Sequence, residues 1–149
     1  MERKGMLTRI ILFAFPLLLL MSGCSNTPTT PTLTFDAKGC SYSGPATVSP
    51  AFTLTWIIEK SVHSAFIYAI VTLDQGKSVQ DLAAIPAEDP APSWVHKLGY
   101  DLEISPGIFT KSFDLSANSV FHEGPIYIVC FYGDENTAIG ADGPIDVKK

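Results

Sequence analysis

Six side chains in this sequence of 149 residues are equipped for sulfur or imidazole chemistry: Cys24, Cys40, Cys130, His63, His96 and His122. A cysteine can be acylated, crosslinked or bound to a metal as its thiolate, and a histidine can ligate the same metal or carry a proton. Position separates the three cysteines. Cys24 stands directly behind the small pair Ser22-Gly23, at the end of the apolar run Ile10 to Met21, whereas Cys40 and Cys130 fall among residues with strand patterning. His96 and His122 lie in different segments without H-x-x-x-H spacing, so each reads as a solvent-facing residue.

Arg3, Lys4 and Arg9 precede the apolar run, which is as long as a signal-peptide core and shorter than the ~20 residues a membrane-spanning helix needs. The stretch Leu20-Met21-Ser22-Gly23-Cys24 resembles a bacterial lipobox. That resemblance implies lipidation of Cys24, which becomes the first residue of the mature chain, and a location in the cell envelope outside the cytoplasm. An ordinary cut before an ordinary cysteine and an uncleaved anchor are the alternatives. Residues 1–23 are then a signal peptide, and residues 24–32 are the lipidated cysteine followed by a tether rich in threonine and proline, with no apolar side chain to bury before Leu33. Residues 33–149 form one domain, since 126 residues after cleavage support a single core. Ser25 stands where an aspartate often signals inner-membrane retention.

The mature chain keeps seven basic and fourteen acidic residues, a formal charge of −7. With no basic face in view, nucleic acid is not an expected partner. Cys40 and Cys130 remain once Cys24 carries lipid, and export places them where a disulfide persists. Pairing is the economical reading; two buried free thiols, or Cys130 as a metal ligand, are the alternatives.

From Leu33 onward, short stretches of period-two alternation are punctuated by glycine and proline, the pattern of an all-β sandwich. Phe52, Leu54, Trp56 and Ile58 share one face of a strand. Phe66 to Leu73 and Ile126 to Tyr132 are apolar on both faces, as strands covered on both sides are. Ser78 with Asp81 three residues later, ahead of Leu82, has the form of a capping box and predicts one short helix. Pro86, Pro90 and Pro92 predict an irregular loop up to Trp94, which packs against the sandwich edge. Tyr100, Leu102 and Ile104 alternate again, Phe109 to Leu115 gives a further strand, and Ile145 with Val147 a last edge strand after a loop from Gly133 to Gly143.

Tyr42-Ser43-Gly44-Pro45, the strand through Trp56, His63-Ser64-Ala65-Phe66, Pro106-Gly107 and Gly124 through Cys130 together resemble the cupredoxin family. The resemblance implies a Greek-key β-sandwich in which a glycine-started strand ends in a cysteine, to which the Ser78–Asp81 pattern adds one short helix. In that family copper is held by a histidine matching His63, a cysteine matching Cys130, and a histidine and usually a methionine in the following loop. Beyond Cys130 this chain has neither histidine nor methionine. Ile126 and Glu59-Lys60 also depart from the family's tyrosine and asparagine. No cofactor is therefore expected, with copper on His63 and Cys130 as the alternative.

Neither a Gly-x-Ser-x-Gly elbow nor a phosphate-cradling glycine loop is present, and Asp134, Glu135 and Asp142 amount at most to a weak cation site. The expectation is a non-enzymatic, lipid-anchored binding or accessory module that meets an unidentified protein or small-molecule ligand through the loops Pro86–Trp94 and Gly133–Gly143. The other readings are a copper electron-transfer protein and, with no residue arguing for it, a small hydrolase or envelope-stress factor. Cys24→Ser is expected to abolish metabolic acyl labelling; labelling that persists in the variant would remove the anchor.

Overall fold

A computed structural model describes residues 30–60, 65–83, 85–86, 91–121, 124–135 and 137–148. Nine strands appear in chain order: β1 Thr32–Asp36, β2 Gly39–Ser43, β3 Thr47–Val48, β4 Ala51–Ile58, β5 Phe66–Leu73, β6 Val95–Glu103, β7 Gly107–Asp114, β8 Pro125–Tyr132 and β9 Gly140–Val147. They form two mixed sheets, β2-β1-β4-β7 and β3-β9-β8-β5-β6, packed as a sandwich. One short helix, α1 Val79–Leu82, follows β5.

Alternation decides which side chains meet between the sheets. Leu33 and Phe35 from β1, Leu54, Trp56 and Ile58 from β4, and Phe66, Tyr68 and Ile70 from β5 are buried together with Ile126, Ile128 and Cys130 from β8. Their rings interlock edge to face: Trp56 lies 4.7 Å from Tyr68, and Phe35 5.7 Å from Phe66, centroid to centroid. Some of the alternate residues of β5 and β8 are buried as well, while Ile67, Leu73 and Phe131 are half-buried. Ala69, Val71, Tyr127 and Val129 form a second cluster with Leu82, Ile85 and Val95. This outer layer is why both strands read as apolar on both faces.

The helix forms because Ser78 and Asp81 cap each other. The Ser78 backbone N–H and hydroxyl both donate to Asp81 Oδ2, each at 2.9 Å, and Leu82 drops into the outer cluster.

Three elements differ from the sequence expectation. β9 begins at Gly140 and lies between β8 and β3, so it is not an edge strand; the two-residue β3 covers it, pairing Thr47 with Asp146 and Val48 with Val147. β6 starts at Val95, because an irregularity between Ile70 and Val71 of β5 opposite Leu98-Gly99 breaks the alternation that marks its second half. Tyr100, Leu102 and Ile104 do alternate, yet they face outward and are exposed.

Cys40 and Cys130 are joined by a disulfide, with Cα atoms 6.3 Å apart and a sequence separation of 90. Gly39 leads into it at φ +132°, and a Cβ there would come within 2.7 Å of the Ile139 carbonyl oxygen, so only glycine lets β2 approach β9 this closely. Denatured, unreduced mature protein is expected to titrate with close to no free thiols. Reduction, or Cys40→Ala with Cys130→Ala, is expected to lower unfolding free energy by about 4 kcal/mol in the loop-entropy account, read from urea midpoints at constant slope.

Candidate functional site

The sequence singled out three groups of chemistry-bearing residues, and the sandwich treats them differently. Cys24, His63 and His122 lie outside the described residues. The Cys130 sulfur is bonded to Cys40 and fully buried, so the thiolate that a blue-copper site requires is not available. The residues do not fit copper in the family's manner. Among the described residues no group of three or more His, Cys, Asp or Glu side chains converges on a point where a metal could sit. Nor is Asp142 available for a cation site with Asp134 and Glu135. Its two carboxylate oxygens accept from the backbone N–H groups of Tyr42, at 3.0 Å, and Gly143, at 2.8 Å.

The two loops expected to carry recognition do come together. Pro86 bridges Thr137, and the Ala138 N–H donates to the Ile85 carbonyl at 3.0 Å. Both segments therefore rest on the outer face of β5 and β8. Beside them opens a flank groove of about 140 Å³, with Ile67, Ala69, Val71, Val129 and Phe131 along its floor and Lys97 and Tyr100 at its rim. The pairing register explains the floor: Ile67 stands opposite both Leu102 and Phe131, and Ala69 opposite both Tyr100 and Val129. Small Ala69 makes the hollow, and the larger side chains around it make the walls. Lys97 Nζ sits 5.2 Å from the centre of the Tyr100 ring, so the rim carries a cation held against an aromatic face.

A second, larger hollow of about 600 Å³ lies at the end of the sandwich where β5 stops and β6 and β8 start. Here the fold pairs two residues that nothing in the sequence links. Leu73 stands opposite Val95 and Thr72 opposite His96, which carries His96 Nε2 to 2.7 Å from Asp74 Oδ1. Lys77 also lines this end groove. Its ammonium lies 4.7 Å from the centre of the Trp94 ring and 3.5 Å from Asp81 Oδ1. Trp94 is half-buried against the outer cluster, in agreement with its expected packing on the sandwich. Pairs 22 residues apart such as Asp74 and His96 are invisible until strand register is known, since either strand shifted by one residue would separate them.

Hydrogen bonds from Ser78 hold the Asp81 carboxyl below the ordinary aspartate range, with a smaller contribution from Lys77. A carboxylate depressed in the folded chain contributes stability above its unfolded pKa and loses it as pH falls through its folded value. The α1 cap and the Lys77 contact are therefore expected to hold at neutral pH and release in acid, below the usual carboxylate range. In Ser78→Ala the Asp81 carboxyl is expected to titrate closer to its ordinary pKa, read from its side-chain NMR shift; an unchanged midpoint would contradict the capping account. The chain matches no family profile, no curated protein and no solved structure.

Proposed function

We propose that this chain is an exported, lipid-anchored β-sandwich that serves as a binding or accessory module in the cell envelope, without catalytic or electron-transfer chemistry of its own. The lipobox-like stretch ending in Cys24 supports the anchor. The Cys40–Cys130 crosslink supports a compartment in which disulfides persist. Kinship to the cupredoxins belongs to the same reading, as a relative in which the late-strand cysteine has an architectural role.

One observation carries the binding role: two loops separated by some fifty residues of chain are joined to each other over a groove with an apolar floor. A floor of aliphatic and aromatic side chains with one cation at its rim suits an apolar ligand, or the apolar side chain of a partner, that also carries a polar or acidic group. Lys97 and Tyr100 would then fix its orientation, while Ala69 sets the depth to which it enters.

The probe is the anionic naphthalene dye ANS, titrated into the mature, lipidated protein. Dye fluorescence is expected to rise on binding, to fall by about tenfold in affinity in Ala91→Trp, which fills the groove from its loop side, and to stay unchanged in Ile108→Ser, which removes an exposed apolar side chain elsewhere. Equal dye binding in all three proteins would overturn the groove as the site. Stoichiometric copper in the purified protein, or an intense blue absorption on adding copper(II), would overturn the non-redox reading.

A further inference from the structure

We infer that the flank groove takes a single aromatic ring bearing one carboxylate, in the form of a free phenylalkanoate. This deepens the binding role proposed above and rests on it. Three features converge on that ligand: the size of the groove, its lining, and the one cation at its rim.

Size sets the body of the ligand. The groove holds about 140 Å³, and an apolar cavity of about 150 Å³ is enough for one benzene ring. Along the outward face of β5, the small Ala69 stands between the branched Ile67 and Val71, which leaves a slot. Val129 of β8 lies opposite Ala69, and Phe131 opposite Ile67, so the slot extends over two strands. A flat ring packs well beside the Phe131 ring and orders fewer rotamers on entry than an alkyl chain of the same volume. The site is also built in advance. Its floor belongs to paired strands, and its loop wall is tied down where the Ala138 N–H meets the Ile85 carbonyl and Pro86 bridges Thr137.

Charge sets the other end. Among the described residues that line the groove, Lys97 and Tyr100 alone have polar side chains. Lys77, Lys111 and Lys148 each meet an aspartate, whereas Lys97 enters no ion pair among the described residues. Its ammonium rests instead against the Tyr100 ring, a lining residue itself. That contact holds the cation at the rim and leaves its N–H donors for an anion. One carboxylate balances one ammonium through a charge-assisted hydrogen bond; a phosphate brings more charge than a single lysine matches. Ring in the slot and carboxylate at Lys97 together define the ligand, since nothing else in the lining offers a polar side chain to a sugar or a nucleotide.

The test titrates phenylpropionate into the mature protein with isotope-labelled methyl groups. The Ala69 and Val129 methyl signals are expected to shift, while those of Ile108 and Val147 stay in place. Phenylpropanol, with the ring and no charge, is expected to bind about tenfold more weakly. Octanoate, with the charge and no ring, is expected to bind about fivefold more weakly. Lys97→Met keeps the stem and is expected to erase the advantage of the acid over the alcohol, with alcohol binding and the melting curve unchanged. Equal affinity for acid and alcohol would overturn the inference, as would an advantage that survives in Lys97→Met or octanoate binding as tightly as the aromatic acid. Tighter binding of acetyl-Gly-Gly-Phe with a free C-terminus would overturn the free acid as occupant and assign the same chemistry to the chain end of a partner. If ANS binds the groove and no acid displaces it, this inference alone falls; if neither binds, the groove as a binding site falls with it.

Discussion

The Cys40–Cys130 crosslink is the constraint on which the arrangement of the two sheets depends. It ties β2, at the edge of one sheet, to β8, near the middle of the other, and removes the freedom of a loop of about 90 residues from the unfolded chain. In a domain whose net stability is on the order of 10 kcal/mol, one such tie is a large fraction of the whole. Two hydrogen bonds repeat the same closure nearby. The Tyr42 N–H donates to Asp142, and the Tyr132 hydroxyl donates to the Asp36 carbonyl at 2.8 Å. Burial, with a smaller contribution from neighbouring carboxylates, pushes both tyrosine hydroxyls above their ordinary pKa.

The other long side of the sandwich is closed differently. Between β6 and β7 the sheets are joined by Lys111 and Asp101 at 3.4 Å and by Asn118 Nδ2 donating to the Leu98 carbonyl at 3.1 Å. Half-exposed ion pairs contribute little, on the order of 0–1 kcal/mol. Behind them the Tyr68 hydroxyl and the Trp56 indole N–H are buried without hydrogen-bond partners among the described residues. Each such group costs roughly 1–3 kcal/mol, and burial together with Asp101 drives the Tyr68 pKa far upward. One flank is therefore covalently fixed, whereas the other is held by an ion pair and a hydrogen bond.

Much of this was legible in the sequence because it rests on period and on capping. The Phe52-to-Ile58 face, the doubly covered strands through Phe66 and Ile126, and the Ser78–Asp81 cap each follow from local spacing that the fold leaves intact. Lys111, which breaks the apolar series of β7, finds Asp101 across the sheets, a partner that only three-dimensional proximity supplies. The end groove was not legible for the same reason: Asp74 and His96 are ordinary polar residues until β5 and β6 are set in register. β3 escaped notice because two residues carry no period, and β9 was misplaced outward because Gly140 to Gly143 reads as loop although it pairs with β8.

An open sandwich with edges at β6 and β7 is exposed to pairing with other chains, and the residues there resist it. Asp101 points inward from β6 and Lys111 from β7, so a strand docking on either edge would confront a charge at the sheet interior. The irregularity at Leu98-Gly99 interrupts the edge at mid-length, and a Cβ at Gly99 would meet the Phe113 ring at 2.8 Å, which keeps a larger residue from filling the gap. Protection of the backbone edge leaves the outward side chains free to vary. Tyr100, Leu102 and Ile104 lie exposed on the outward face of this guarded edge, and Tyr100 also lines the flank groove.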